Sequence, residues 1–430
     1  MRICASFGNG CDAAELEKAD MIEIRTDLVG IPDDIPDRPL ILTFKGNPVR
    51  LPNEFHGMVD IGETVFDHPG VESLCSYHDF SGTPGTDTIL SILDSFTSDV
   101  VKGVFTPHDL NDLNSIRNAA VATERRHVVF GMGEVGKITR IRQDILGNEF
   151  TFAHSGNPTA AGQLSVSEMR KLEGCMVTGL IGHPLGHSLS PLMHNTAFAE
   201  LGMNGIYLEF DTPNLIGLKE FMMNYDIRGT NVTIPYKMDV IEHLDVIDAE
   251  AEMIGAVNTV INDSGTLKGM NTDIHGIEHA FGDTDIHGKS VLVIGSGGAA
   301  RACLYIMNKV GCTSTLASRN RETAGALAVE FGSESADPKD VDVNSHDIIV
   351  NCTPVGMKGF PEGPPVSLSG LSEKHIVFDM VYGTTALTRI AGELGATIIS
   401  GKDMLAAQGA RSFELWTGVE IDADIMRKVI

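Results

Sequence analysis

Residues 291–301 read VLVIGSGGAAR, and this stretch decides how the second half of the chain is organised. Aliphatic residues lead into Gly295, Gly297 and Gly298 follow closely, and the helix-forming Ala299 comes next. A strand, a tight glycine turn and a new helix in this order let the backbone approach a pyrophosphate, which the free N–H groups of the helix bind. The spacing Gly-x-Gly-x-x-Ala therefore predicts a dinucleotide site formed by Gly295, Gly297, Gly298 and Ala299.

The next predicted strand, residues 313–318, is followed by arginines rather than by an acid. In a dinucleotide fold the end of the second strand faces the adenosine ribose, where an acid would bind both ribose hydroxyls. Ser318, Arg319 and Arg321 instead suit a 2′-phosphate, which a guanidinium can bind through two parallel hydrogen bonds. The sequence therefore predicts NADP rather than NAD. The alternative is a pair of solvated arginines at a strand end.

Composition limits the class of protein. The 430 residues suggest about three folding units, and 42% hydrophobic with 21% charged residues is typical of a globular protein. We expect a cytoplasmic protein, since no apolar run is long enough for a membrane span and no signal peptide is evident. Seven cysteines without a Cys-x-x-Cys pair indicate reduced thiols and argue against a metal site. The net charge of −26 argues against nucleic acid and requires local basic clusters for any anionic ligand.

Residues 1–174 alternate short apolar strands with helical or loop segments, which predicts a (β/α)₈ barrel within an α/β protein. The segment is shorter than the roughly 200 residues at the low end for this fold. We expect the helices after the second and third strands to be replaced by loops at 30–39 and 46–55. The eight strands are predicted at 2–7, 21–27, 40–45, 58–63, 75–80, 100–106, 127–131 and 150–154.

Several polar residues in these predicted strands are candidates for chemistry. Glu23 and Arg25 are two residues apart, so they share one face of their strand. Lys102 lies in the apolar stretch VVKGVFT. It either extends to solvent or, once desolvated, attacks a carbonyl as a neutral amine. His78 in SYHDF is either structural or catalytic, with Asp79 beside it as a possible orienting group.

The motifs MIEIRTD, SYHDF, VVKGVF, ITR and TAAGQ occur in the order found in type I 3-dehydroquinate dehydratases, and residues 1–174 resemble that family. The resemblance implies that Lys102 forms a Schiff base, that His78 is the general acid and base, and that Glu23 assists. Lys45 stands where the family has arginine, and no carboxylate follows it at the usual spacing. Thr159 stands where the family usually has serine. The substrate-binding set implied is Arg25, Lys45, Arg140, Thr159 and Gln163.

A second group of motifs begins near residue 177. HSLSP, NVTIPYK, GAVNT and NTD, followed by VLVIGSGGAAR, together resemble shikimate dehydrogenases over about residues 177–420. Taken singly, the serines could be a helix N-cap with a spectator, and the lysine and aspartate solvated surface charges. The resemblance implies instead that Lys237 and Asp273 form the catalytic pair. It assigns the substrate to Ser188, Ser190, Thr233, Asn258, Tyr382 and Gln408, and adds Thr353, Met380 and Gly401 to the cofactor site.

Together the two resemblances predict a bifunctional enzyme. It would dehydrate 3-dehydroquinate to 3-dehydroshikimate through a Schiff base and then reduce this product to shikimate with NADPH. The expected domains are a barrel (1–174), an α/β substrate domain (175–277), a Rossmann-type domain (278–400) and C-terminal helices that return to the substrate domain (401–430). The expected partners are small-molecule substrates, without nucleic acid or membrane, and the oligomeric state stays open. Three alternatives remain: a dehydrogenase with an inactive barrel, quinate as the substrate, and a non-catalytic regulator of quinate metabolism.

Overall fold

The computed structural model describes residues 1–8, 10–31, 37–45, 51–52, 55–64 and 66–430. They form two compact α/β units, residues 1–186 with 204–228, and residues 187–203 with 229–430. Of the two predicted loops, most of 46–55 and half of 30–39 lie outside the described residues, so the loop prediction there stays a prediction. Among the described residues, no helix combines the length and apolar character needed to cross a membrane.

The N-terminal part supplies an eight-stranded parallel sheet. Each strand pairs with the next one along the chain as far as β7, and β8 pairs with β1, which gives a nearly closed barrel. The predicted barrel is confirmed, and each of the eight predicted strands overlaps an observed one. The strands are β1 (Ile3–Phe7), β2 (Met21–Arg25), β3 (Leu40–Thr43), β4 (Met58–Asp60), β5 (Glu72–His78), β6 (Val100–Phe105), β7 (His127–Gly131) and β8 (Thr151–His154).

The pleat of the strands decides what the barrel interior contains. One apolar cluster takes alternate residues from all eight strands, among them Met21, Met58 and Val100. Because side chains on a strand alternate between its faces, residues two or four positions further along point into the same interior. Most of these later positions are polar, although Val104, Phe130 and Phe152 are apolar, so the carboxyl ends of the strands converge on a largely polar cavity above an apolar base.

Among the helices that the structure describes in residues 1–174, three begin at a residue whose side chain caps the first turn. Asp109 accepts a hydrogen bond from the N–H of Asp112 at the start of α3, and Ser165 forms a capping box with Glu168 at the start of α6. Such caps satisfy backbone donors that have no partner within the helix. The helices are α1 (Ala13–Leu16), α2 (Thr86–Ser95), α3 (Leu110–Ala122), α4 (Gly133–Ile141), α5 (Gln143–Leu146) and α6 (Val166–Lys171).

The chain from 176 to 281 forms the elements of the predicted substrate domain. Strands β9 and β10 pair in parallel, whereas β13 pairs antiparallel with both β11 and β14, and β12 pairs in parallel with β14. In chain order the elements are β9 (Met176–Gly182), α7 (Ser190–Glu200), β10 (Gly205–Asp211), α8 (Leu218–Asn224), β11 (Ile227–Val232), β12 (Val246–Ile247), α9 (Ala249–Ile254), β13 (Thr259–Asp263), β14 (Thr266–Met270) and α10 (Asp273–Phe281).

One segment of this region, with β10 and α8, belongs to the same compact unit as the barrel. The buried Tyr225 donates its hydroxyl hydrogen to the carbonyl oxygen of Leu113 on α3, at 2.7 Å. Asn114 Nδ2 donates to the carbonyl oxygen of Gly217, at 3.0 Å. Gly217 has a φ of +77°, and a Cβ there would lie 2.7 Å from Asn114 Nδ2, so only glycine fits. The compact unit thus extends past residue 174, while the domain limits expected from the motifs stay predictions.

Residues 290–400 form a six-stranded parallel sheet. Its order, β17-β16-β15-β18-β19-β20, places the third, second and first strands before the fourth, fifth and sixth. This is the dinucleotide-binding topology, with its switch point between β15 and β18, so the Rossmann-type prediction is confirmed. The elements are β15 (Ser290–Ile294), α11 (Gly298–Lys309), β16 (Thr313–Ala317), α12 (Arg321–Glu330), β17 (Glu334–Ala336), β18 (Ile348–Asn351), β19 (Ile376–Asp379), α13 (Ala386–Glu393) and β20 (Thr397–Ser400).

Two further helices, α14 (Gly401–Thr417) and α15 (Ala423–Arg427), complete the chain. Helix α14 packs along α10. Its Trp416 is buried, and the indole N–H donates to the carbonyl oxygen of Val260 on β13, at 3.0 Å. Gly229 is required beside this ring, since a Cβ there would lie 2.2 Å from the indole. The C-terminal helix is thereby fixed against the strands that follow residue 229.

Candidate active sites

The first candidate site is a cavity of about 110 Å³ at the carboxyl ends of the barrel strands. Parallel strands of a barrel bring their carboxyl ends together, which is why residues distant in sequence meet there. Eight residues were predicted to form this site, and all eight line the cavity. They are Glu23, Arg25, Lys45, His78, Lys102, Arg140, Thr159 and Gln163.

Lys102 lies in β6 with its side chain inside the barrel. Only 6% of the residue is exposed, which rules out the alternative in which it extends to solvent. Its Nζ lies 4.2 Å from the centroid of the Phe152 ring and 3.8 Å from Oδ2 of Asp60. The amine therefore faces the cavity from an enclosed position, as a nucleophile that attacks a bound carbonyl must.

His78 ends the neighbouring strand β5 and reaches the same cavity. Its ring stacks on Phe80, with ring centroids 5.9 Å apart. Burial, reinforced by the positive charges of Lys102, Lys45 and Arg25, lowers the pKa of His78 to about 3. The imidazole is therefore neutral near pH 7, which is the form that a general base requires.

Two charged residues have partners that the sequence did not predict. Asp79 does not orient His78, because its carboxylate accepts hydrogen bonds from the N–H and hydroxyl of Ser81, at 2.8 and 2.6 Å. Arg25 donates from Nε and Nη2 to both oxygens of Asp27, at 2.8 and 2.7 Å. The guanidinium fork of Arg25 is thus already paired with a carboxylate. Arg25 still lines the cavity, and its role in substrate binding stays a prediction.

Arg140 is the most deeply buried cation of the cavity, with 2% of the residue exposed. Its guanidinium lies 4.3 Å from the centroid of the Phe130 ring, and Nη1 donates to the carbonyl oxygen of Phe152 at 3.3 Å. Among the described residues its Nε has no hydrogen-bond partner. Burial lowers the pKa of Arg140 to about 10, so the group is still charged near pH 7. A buried, incompletely paired guanidinium is unfavourable unless an anion completes it, so Arg140 marks the place for a carboxylate.

The remaining polar groups of the cavity are held in position by short hydrogen bonds. Glu23 is buried and accepts from the hydroxyls of Ser6 and Thr43, at 2.8 and 2.9 Å. Thr159 donates from its N–H and hydroxyl to Oε1 of Gln163, at 2.8 and 3.0 Å. Groups fixed in this way can orient a polyhydroxylated ligand without reorganising when it binds.

Sequence reasoning missed Asp60, at the end of β4. It is 1% exposed, and its Oδ1 accepts from the N–H of Gly62 and the hydroxyl of Ser76, at 2.9 and 2.7 Å. One signal could have found it. Asp60 is two residues after Met58, which faces the barrel interior, so the strand pleat directs both inward.

The second candidate site is a cavity of about 650 Å³ in the unit of residues 187–203 and 229–430. Gly295 has a φ of +121°, and a Cβ there would lie 3.1 Å from the carbonyl oxygen of Cys352, so glycine is required. At Gly297 a Cβ would point into open space. These features fit a turn that a dinucleotide approaches closely. The predicted residues that line the cavity are Thr233, Lys237, Gly295, Gly297, Gly298, Ala299, Ser318, Arg319 and Thr353.

Three predicted cofactor residues lie elsewhere. Arg321 opens α12 with its side chain 76% exposed, and it pairs with Asp337 through Nη2 at 2.5 Å and Nε at 3.1 Å. Met380 packs against the apolar core of the sheet instead of lining the cavity. Gly401 begins α14, where a Cβ would lie 2.7 Å from the carbonyl oxygen of Met380. Of the two arginines, only Arg319 lines the cavity.

Lys237 and Asp273 form a close pair, with 2.6 Å between Nζ and Oδ2. Asn258 Nδ2 donates to Oδ1 of the same carboxylate at 2.8 Å and to Oε1 of Gln408 at 3.3 Å. A Cβ at Gly298 would lie 2.8 Å from Cβ of Lys237, so the pair sits against the glycine turn. The lysine nitrogen and the carboxylate are thus in direct contact beside the glycine turn, and their catalytic role stays a prediction.

Hydroxyl groups that the sequence did not single out support this arrangement. The N–H of Thr272 donates to Oδ1 of Asn258 at 2.7 Å. Three hydroxyl groups lie within hydrogen-bond distance of one another, with 2.9–3.1 Å between each two oxygens; they belong to Thr259, Thr272 and Ser412. These contacts connect β13, the start of α10 and α14. The network fixes the orientation of Asn258 and hence that of Asp273.

The two predicted substrate serines contact each other at the start of α7. The N–H of Ser190 donates to the hydroxyl of Ser188 at 3.2 Å, but neither serine is the N-cap, since Leu189 occupies that position without a side-chain cap. Ser190 is buried, whereas Ser188 and Tyr382, which follows β19, are half-buried. The role of these three residues in substrate binding stays a prediction.

The fold and the two cavities define an enzyme with a lysine-centred barrel, followed by an oxidoreductase of the dinucleotide-binding class. Family models match in the same order. The model of type I 3-dehydroquinase matches residues 60–176, that of the shikimate dehydrogenase substrate binding domain matches 180–260, and that of the shikimate 5′-dehydrogenase C-terminal domain matches 401–430.

Individual relatives agree with these matches. The chain is 40% identical over 269 residues to the shikimate dehydrogenase (NADP(+)) of Methanothermobacter thermautotrophicus, which covers 59% of this chain and 95% of that protein. The shikimate 5-dehydrogenase of Thermus thermophilus, solved with NADP(H) and shikimate, superposes with a TM-score of 0.55 at 36% identity. It covers 59% of this chain and 98% of its own. The quinate dehydrogenase of Corynebacterium glutamicum, solved with NAD, has a TM-score of 0.54 at 31% identity. It covers 59% of this chain and 98% of its own.

The chain belongs to the shikimate dehydrogenase family and carries a type I 3-dehydroquinase domain ahead of the dehydrogenase domains.

Proposed function

We propose that this chain is a bifunctional enzyme of the shikimate pathway, with separate sites for two steps. The barrel cavity dehydrates 3-dehydroquinate to 3-dehydroshikimate, and the second cavity reduces that ketone to shikimate with NADPH. The observation that carries the proposal is the composition of the barrel cavity, in which the enclosed Lys102, the neutral His78 and the incompletely paired Arg140 line one space. All seven cysteines are free thiols, which supports a reducing compartment such as the cytoplasm.

In the barrel, Lys102 attacks the ring ketone and forms an imine, which acidifies the adjacent carbon. Neutral His78 removes the proton from that carbon and returns it to the departing hydroxyl group, so that water leaves. Arg140 binds the substrate carboxylate by charge-assisted hydrogen bonds, because its buried guanidinium otherwise lacks an anionic partner. Glu23, Thr159 and Gln163 hold ring hydroxyls at fixed positions. Lys45 adds positive charge at the same cavity.

In the second cavity, the glycine turn and the N-terminus of α11 would hold the pyrophosphate of NADP. Arg319 and Thr353 both line this cavity, where Arg319 would bind the 2′-phosphate and Thr353 would contact the nicotinamide end. When bound, the nicotinamide supplies the hydride. Lys237, paired with Asp273, supplies the proton to the ketone oxygen. Asn258 and Gln408 bind substrate hydroxyls next to this pair.

The alternatives differ in which of these groups they need. A regulator or an inactive barrel requires no enclosed nucleophile, whereas Lys102, His78, Lys237 and Asp273 all reach their cavities or pair there. The rates at which the reductase oxidises shikimate and quinate decide which of the two is its substrate. The test is to assay each half by itself. We expect 3-dehydroquinate to be dehydrated without cofactor, and shikimate to be oxidised by NADP⁺ at a kcat/KM well above that for quinate. Failure of either reaction removes that half of the proposal.

We expect the substitution Arg319→Ala to raise the KM for NADPH by about 10- to 100-fold, the equivalent of ~1.5–3 kcal/mol for a hydrogen bond to a charged group. The KM for NADH should change little, because NADH has no 2′-phosphate. Steady-state kinetics with both cofactors measure the effect. Arg321→Ala is the matched control, with a small effect on both cofactors, since Arg321 lies outside the cavity and is paired with Asp337. Equal losses for NADPH and NADH in Arg319→Ala would contradict the argument.

We expect Lys45→Arg to lower the KM for 3-dehydroquinate by about 5- to 30-fold, with kcat nearly unchanged, because an added charge-assisted hydrogen bond contributes roughly 1–2 kcal/mol. The lysine keeps the charge but lacks the fork that binds two oxygens at once. Lys45 lines the cavity, and burial lowers its pKa. Kinetics of this variant and of the unmodified chain are compared. An unchanged KM with a higher kcat would place Lys45 in the chemistry instead of in binding.

A further inference from the structure

Asp60 is a buried carboxylate that the mechanism above does not use. Its Oδ1 is anchored by the N–H of Gly62 and the hydroxyl of Ser76. Among the described residues its Oδ2 has no hydrogen-bond partner, and this oxygen lies 3.8 Å from Nζ of Lys102. Leaving a buried charged oxygen without a partner costs free energy, so the arrangement is stable only with a cation opposite Oδ2. The nitrogen of Lys102 is the group in that position.

We propose that Asp60 is a positioning residue for Lys102, whose Oδ2 holds the nitrogen towards the cavity and offsets the positive charge that this nitrogen carries in the imine intermediates. The inference rests on the proposed dehydratase function and adds a residue to it.

The charge on nitrogen follows from the chemistry of the step. A bond forms between the Lys102 nitrogen and the ketone carbon, the former ketone oxygen takes up one proton from that nitrogen and one from solvent, and the C–O bond breaks to release water. The product is a protonated imine with a positive charge on nitrogen, which persists until hydrolysis regenerates the amine. In a buried site such a charge needs a fixed counter-charge within a few ångströms.

Asp60 is better placed for this role than Glu23, the acid that lines the cavity. Both carboxylate oxygens of Glu23 accept hydrogen bonds, from Ser6 and Thr43. Asp60 keeps one oxygen available in the direction of Lys102. Burial raises the pKa of Asp60, and the charge of Lys102 opposes that rise, so the carboxylate and the cation stabilise each other. The surrounding cations Lys45 and Arg140 make a local negative charge more necessary.

The test is the substitution Asp60→Asn in the full-length chain. The amide has nearly the same size and its oxygen can still accept from Gly62 and Ser76, but it carries no charge. We expect kcat for 3-dehydroquinate to fall about 10²-fold, the usual loss for one fixed electrostatic group, with KM changed by less than about threefold. Borohydride trapping of the imine should slow in parallel.

Asp99→Asn is the matched control, since Asp99 is another barrel aspartate that accepts hydrogen bonds, from the N–H and hydroxyl of Ser73, whereas the ion pair with Lys102 is formed by Asp60. The reductase activity of each variant reports whether the chain is folded. If Asp60→Asn loses no more activity than Asp99→Asn, or loses it through a raised KM with kcat and imine trapping unchanged, Asp60 does not position Lys102 and the inference is wrong. If the unmodified chain itself neither dehydrates 3-dehydroquinate nor forms an imine, the dehydratase function fails together with it.

Discussion

Replacing Lys102 by alanine is expected to abolish dehydration of 3-dehydroquinate, with kcat reduced by more than about 10⁴-fold, because the covalent route is lost with the nucleophile. Lys102 lies enclosed in the barrel with its amine at the cavity. Borohydride added to the unmodified chain with substrate should leave a reduced adduct on this residue, measured as a mass shift of its peptide. Reduction of 3-dehydroshikimate by the same variant should be unchanged.

The control for this prediction is Lys137→Ala. Lys137 lies on α4 of the same unit and pairs with Glu134 at 2.5 Å, so it is a lysine of the barrel without access to the cavity. Its removal should leave both the activity and the borohydride adduct intact. An adduct on another lysine would refute the assignment. So would a Lys102→Ala enzyme that keeps more than a small fraction of the dehydratase turnover.

Lys237→Ala and Asp273→Asn are each expected to lower the kcat of the reductase by at least about 10²-fold, the low end for general acid–base catalysis. The two groups are 2.6 Å apart and supply the proton as a unit, so the double variant should lose little more than either single one. Binding of NADPH, measured by fluorescence titration, should change little, because the glycine turn is intact. Dehydratase activity should also be unaffected.

A matched lysine–aspartate pair is available on the β13–β14 hairpin. Lys268 and Asp263 are 2.5 Å apart with exposed side chains, and such surface pairs contribute about 0–1 kcal/mol. Lys268→Ala should therefore leave the reductase within about twofold of the unmodified chain. A Lys237→Ala enzyme that keeps most of its turnover would show that the proton comes from elsewhere.

Local patterns were sufficient to predict both folds. In the barrel, the strands are buried apolar runs, and in the dehydrogenase half the glycine turn follows directly after β15. The residues of each cavity were predictable where they extend such patterns by two positions, as Arg25 does after Glu23. They were also predictable where a motif of several residues contains them, as with Asn258.

Contacts between distant segments were not predictable in the same way. Arg321 was expected at the 2′-phosphate, but Asp337, 16 residues later, pairs with it. Asp60 acquires its significance only because β4 and β6 place it near Lys102 in three dimensions. The packing of α8 on α3 depends on a glycine at 217 that has no local signature. Each of these contacts depends on tertiary geometry, which no pattern within one segment encodes.

The central claim is that one chain carries out two consecutive reactions, and a single coupled assay tests it most directly. The purified chain is given 3-dehydroquinate and NADPH, and both NADPH oxidation and shikimate formation are followed. The account predicts that one shikimate appears for each NADPH oxidised. It also predicts that Lys102→Ala stops both with 3-dehydroquinate but not with 3-dehydroshikimate. Oxidation of NADPH with 3-dehydroshikimate, but none with 3-dehydroquinate, in the unmodified chain would contradict it and leave the barrel without a catalytic role.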